Sequence, residues 1–102
     1  MMDHATATPR AVDSAARTLG EHLVVWRRLQ RLTQRVVADR AGISTSTLRR
    51  LEKGDLGVSL ETLLRVARAL GRLESIEQCL NPLDTDLGRI RAIGELPKRV
   101  RS

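Results

Sequence analysis

Residues 34–53 read QRVVADRAGISTSTLRRLEK. Gly42 divides this stretch into two short segments of helical pattern. Thr33 stands where the N-cap of the first segment belongs, and Leu32 before it and Val37 after it form a hydrophobic staple. This predicts a helix over 34–40 that stops at Ala41-Gly42. The next helix begins at Ser44 or Thr45, bracketed in the same way by Ile43 and Leu48, and ends at Lys53 before Gly54. Two short helices joined at a glycine meet at a steep angle, so their contact point needs a small side chain. Ala38 supplies it, and Gly42 allows the backbone twist of the turn. Val37, Ala41, Ile43, Leu48 and Leu51 provide the apolar contacts. The stretch has the shape of a helix-turn-helix unit.

The flanking sequence predicts three more helices. Upstream, Thr18 to Gln30 has helical spacing, with Thr18 and Glu21 placed for a capping box and an apolar face of Leu19, Leu23 and Trp26. Downstream, Gly54-Asp55-Leu56-Gly57 is a turn. Ser59 then caps a fourth helix between Val58 and Leu63. Its stripe is Leu60, Leu63, Leu64, Ala67 and Leu70, and Gly71 stops it. A fifth helix runs from about Leu73 to Leu80 and ends at Asn81-Pro82. Residues 1–17 show no apolar period and read as a flexible arm; residues 81–102, with two Gly and two Pro, read as an extended tail. The expectation is an all-α domain of five helices over 18–80 between these two ends.

Geometry then says what the third helix shows to solvent. At about 100° per residue, Leu48 and Leu51 define the inner face. Ser46, Arg49, Arg50 and Lys53 occupy the opposite side, with Thr45 at its edge. Short hydroxyl residues let a helix end approach a DNA major groove, and arginine makes bidentate bonds to guanine. Gln34 begins the preceding helix, where free backbone N–H groups and the positive dipole end favour a phosphate. Its amide is placed to donate to that phosphate and to brace the start of the third helix. Arg31 and Arg35 flank it and add attraction that does not depend on sequence.

The stretches LTQRVVADRAGISTSTLRRLEKG and VSLETLLRVARALG resemble the lambda-repressor-like, Cro-like (XRE) helix-turn-helix family, over residues 19–80. The resemblance implies a lambda-repressor-like DNA-binding domain. It also implies DNA contacts from Gln34, Thr45, Ser46, Arg49 and Arg50, and a structural ion pair between Arg27 and Glu52. Homodimers on palindromic operators, with half-sites about 34 Å apart, are the family habit. The sequence departs from the family at Arg31, where many members carry Gly. Residues 72–101, RLESIEQCLNPLDTDLGRIRAIGELPKRVR, resemble the end of HipB-like antitoxins, through Asp86-Leu87-Gly88-Arg89 and the basic run 98–101. That resemblance implies a HipA-type kinase toxin as partner. A stand-alone regulator is the alternative.

The composition of the 102 residues narrows the classes. Lys and Arg number 18 against 12 Asp and Glu, a net charge of +6 that points to nucleic acid. Trp26 is the only aromatic residue, so platforms for stacking single-stranded bases are lacking. One cysteine, Cys79, excludes an internal disulfide and a cysteine-rich zinc site, and reads as a small buried hydrophobe. No apolar run spans a membrane and no secretory leader stands at the start, which fits a cytoplasmic protein. No nucleophile–base set, phosphate loop or metal-ligand spacing stands out, so the reading is a non-enzyme without cofactor or metal. Val25, Leu29 and Val36 either widen the core stripe or form an apolar patch beyond what DNA binding needs, and Leu73, Ile76 and Leu80 either close the bundle or form a second patch. Both are candidate partner or dimer contacts.

Overall fold

The computed structural model describes residues 7–95. These residues form six α-helices and a 3-10 turn. They are α1 (Arg10–Leu29), α2 (Gln34–Ala41), α3 (Thr45–Glu52), α4 (Leu60–Ala69), α5 (Leu73–Gln78), the 3-10 turn Pro82–Asp84, and α6 (Asp86–Glu95). The architecture is all-α, with one helix more than the five expected.

Local chemistry starts three of these helices. Thr33, Ser44 and Ser59 are all extended, and each hydroxyl accepts a hydrogen bond of 3.1 Å from the backbone N–H three residues on. Gly42 ends α2 in the left-handed conformation, at φ 72°. The turn between α1 and α2 demands the same conformation of a residue with a side chain, because Arg31 sits at φ 58°. That is the position where the resembled family often has Gly, and a side chain there strains the turn.

The start of α1 is corrected from Thr18 to Arg10, and residues 10–17 are not an arm. Residues 1–6 of that expected arm lie outside the described residues. Thr18 and Glu21 are interior to the helix, so the capping box does not form. Ala11, Ala15 and Ala16 favour helix, and Arg17 pairs with Asp13 one turn back at 2.9 Å. Tertiary contact extends the helix further. A Cβ on Gly54 would lie 2.7 Å from the Arg17 Cα, so α1 rests on the turn after α3. Gly20 makes the second close approach, where a Cβ would strike the Glu52 carbonyl oxygen.

The core collects Leu23 of α1, Val37, Ala38 and Ala41 of α2, Leu48 and Leu51 of α3, and Val66 and Leu70 at α4. Leu32, Ile43, Val58 and Leu63 pack around it. The expected α1 face is therefore only partly inside. Leu23 is buried, but Leu19 is 46% exposed and Trp26 37%. Leu19 and Leu60 line an open apolar depression of about 290 Å³ beside Leu56. Trp26 lies under the Arg72 guanidinium, 4.2 Å from its ring centre, a cation–π contact that ties α1 to the start of α5. Gln30 adds a 2.8 Å bond to the Leu70 carbonyl.

Beyond α4 the packing thins. α5 lies on α4 but buries no residue completely. Cys79, expected inside, is exposed at the end of α5. The expected extended tail is instead helical over Asp86–Glu95, and residues 96–102 lie outside the described residues. Thr85 explains the start of α6: its hydroxyl accepts from the Gly88 N–H at 2.9 Å and donates to the Pro82 carbonyl at 2.8 Å. α6 packs mainly on the 3-10 turn, and a radius of gyration of 16.6 Å exceeds the ~13 Å of a compact chain of this length.

Candidate nucleic-acid interface

Burial sorts α3 into two faces. Leu48, Leu51 and Glu52 are buried, while Ser46, Arg49, Arg50 and Lys53 are exposed, and Thr45 is half-buried. α2 packs against α3, so its first turn, with exposed Arg35 and half-buried Gln34, stands beside that outer face. The first-turn N–H groups of a helix have no partner inside it and carry its positive dipole end. Guanidinium groups, hydroxyls and a helix N-terminus thus converge on one side of the α2–α3 pair. This chemistry suits phosphate oxygens and base edges.

The side chains are not equally free. Arg27 reaches Glu52 with two bonds, Nε to Oε2 at 2.7 Å and Nη2 to Oε1 at 3.1 Å. Its Nη1 donates to the Leu32 carbonyl at 3.1 Å. Both charges are buried, with side chains 11% and 6% exposed, so each needs the other. Gln34 donates from Nε2 to Glu52 Oε1 at 2.8 Å, and its Oε1 accepts from Arg49 Nε at 3.3 Å. Gln34 therefore braces the end of α3 rather than its start, as the sequence reading had it.

Arg50 is held by a different group. Its Nε donates to Asp55 Oδ2 at 2.8 Å, while Asp55 Oδ1 accepts from the Gly57 N–H at 2.7 Å. The Arg50 hydrogen bond, with help from Gly57, holds the Asp55 carboxyl below its ordinary range, and Asp55 in turn raises Arg50. Sequence reading placed Asp55 in the turn 54–57 but missed its link to Arg50. It also missed Arg65, whose Nη1 donates to the Ala41 carbonyl at 3.1 Å and secures the end of α2. Neither link is visible in a helical period, because each joins a helix to something outside it.

The partner-contact candidates divide into exposed and half-buried residues. Val25 and Leu29 are exposed on α1, at 52% and 67%, while Val36 is half-buried on α2. Leu73 and Ile76 are half-buried, and Leu80 is 89% exposed. Among the described residues no group of His, Cys, Asp and Glu has the makings of a metal site, and no helix is long and apolar enough to cross a membrane.

A family model described as helix-turn-helix matches residues 23–76, just over half of the chain. No curated protein and no solved structure shows a significant match. The matched residues run from Leu23 in α1 to Ile76 in α5 and include the whole α2–α3 pair with its exposed basic face. The chain belongs to the XRE-type helix-turn-helix family of DNA-binding transcriptional regulators.

Proposed function

We propose that this protein is a sequence-specific double-stranded DNA-binding repressor, acting as a cytoplasmic homodimer on a palindromic operator and without catalysis of its own. One observation carries the reading: the outer face of α3 exposes Ser46, Arg49, Arg50 and Lys53 together, beside the N-terminus of α2. Contacts from α3 to base edges give sequence choice, and Arg35 adds attraction to phosphate. The test is selection of duplexes from a random pool, followed by affinity measurement over a range of salt. Arg49→Ala and Arg50→Ala relax the choice of sequence. Arg35→Ala weakens binding to all duplexes and lowers the salt slope by about one. Equal affinity for every duplex discards the reading. A selected site without two-fold symmetry discards the homodimer.

The finer reading makes this repressor the antitoxin of a HipA-type kinase toxin. Its support lies outside the DNA-binding unit, in α6, where Leu87, Ile90 and Ile93 are 61%, 69% and 89% exposed. A repressor has no need of that apolar surface for binding DNA. The native protein is purified from its source cells and its companions are identified. A kinase-like protein that stays bound, and is lost on Ile90→Asp, supports the antitoxin. An eluate without one leaves a stand-alone regulator.

A further inference from the structure

Arg49 ends a chain of side chains that begins in the core. The Leu32 carbonyl and Glu52 hold Arg27, Glu52 holds Gln34, and Gln34 holds Arg49. The order of atoms along it is set by chemistry. A carboxylate only accepts and a guanidinium only donates. A side chain that bridges the two must donate at one end and accept at the other, which a primary amide does. Gln34 therefore turns Nε2 to Glu52 and Oε1 to Arg49.

The consequence lies at the far end of Arg49. Its Nε is taken by Gln34, and neither Nη nitrogen has a partner among the described residues. The edge left open is the one that carries Nη1 and Nη2, two parallel donors that match O6 and N7 of guanine. We propose that Gln34 is a positioning residue that presets Arg49 to read one guanine in each half-site, with the buried Arg27–Glu52 pair as its anchor. The proposal rests on the reading of α3 as the helix that enters the major groove. An arginine loses much rotamer freedom when it is ordered on a base, and a guanidinium already held by its Nε has less to lose. Without Gln34 the arm swings freely. It then reaches phosphate oxygens as readily as guanine, so attraction remains and discrimination falls.

The experiment uses the full chain and two duplexes: the selected operator, and the same operator with adenine in place of the guanine that Arg49→Ala ceases to prefer. The readout is the ratio of the two affinities for the unchanged protein, Gln34→Ala, Arg49→Ala and the double variant. The unchanged protein is expected to prefer the guanine duplex by about tenfold or more, the range of a bidentate contact. Gln34→Ala is expected to bring the ratio within about threefold, and Arg49→Ala to near one. In the Arg49→Ala background, Gln34→Ala then leaves the ratio where it is. A ratio for one protein does not depend on how much of it is folded, so lost stability does not mimic the effect. If Gln34→Ala weakens both duplexes equally and keeps the ratio, Gln34 acts on phosphate and the proposal is overturned. It is equally overturned if Gln34→Ala lowers the ratio by the same factor with and without Arg49. If the unchanged protein prefers no base at any position, the groove reading itself fails, a result seen before any variant is made.

Discussion

The bundle of α1–α4 and the segment from α5 to α6 both carry apolar residues at helical spacing, with opposite outcomes. Leu48, Val37 and Val66 have no exposed surface, whereas Leu80 and Ile93 are each 89% exposed. The bundle also buries one charged pair. Arg27–Glu52 is bidentate and buried, while Arg89–Asp86 lies on the surface of α6. A helical period defines an apolar face, but a face is buried only where the chain returns another element to cover it. Short turns bring α2, α3 and α4 back onto one another. α6 meets mainly the 3-10 turn.

The ion pairs give the largest expected contrast. Glu52→Ala strands the buried Arg27 charge and is expected to cost about 3–5 kcal/mol in urea unfolding. Asp86→Ala breaks an exposed pair and should cost less than about 1 kcal/mol. Similar costs for the two would mean that α6 is as firmly integrated as α3. The leucines come next. Leu48→Ala opens the centre of the core and should cost about 2–5 kcal/mol, against no more than about 0.5 kcal/mol for Ile93→Ala. A clear loss of stability for Ile93→Ala would show α6 to be covered in solution.

Two smaller effects refine the picture of the bundle itself. Arg31 holds a left-handed backbone that Gly42 adopts without strain one turn of the fold later. Arg31→Gly is therefore expected to stabilise the chain by about 1 kcal/mol, read from the midpoint of thermal or urea unfolding. The Arg50–Asp55 link is the smallest. Asp55 is held below its ordinary value in the folded state, so its contribution is complete above the unfolded carboxyl value near pH 4. It is lost as pH falls through the lower folded value. A carboxyl titration of Asp55 by NMR should accordingly show a midpoint below that of a free aspartate and no change from pH 5 upward. An ordinary midpoint would mean that Arg50 is not tethered.

Much of the helix-turn-helix unit was legible in the residues. The caps at Thr33, Ser44 and Ser59, the stop at Gly42 and the two faces of α3 all depend on contacts within a few positions. The candidate site was legible as a face but not as a network. Arg49 and Arg50 are neighbours with the same chemistry, yet one is held by Gln34, fifteen residues back, and the other by Asp55, five residues on. The Arg27–Glu52 pairing entered through the family resemblance, since nothing in the spacing of two residues 25 apart brings them together.

The sequence by itself determined where α2, α3 and α4 start and stop and which side of α3 carries the arginines, because capping, turn formation and helical rotation are completed by near neighbours. The tertiary structure decided the rest. It laid α1 on Gly54 at Arg17, left Leu19, Trp26 and Leu60 partly in water, and turned Gln34 toward Glu52 and Arg49. Those outcomes depend on which distant surface each side chain meets, and only the folded chain supplies that surface.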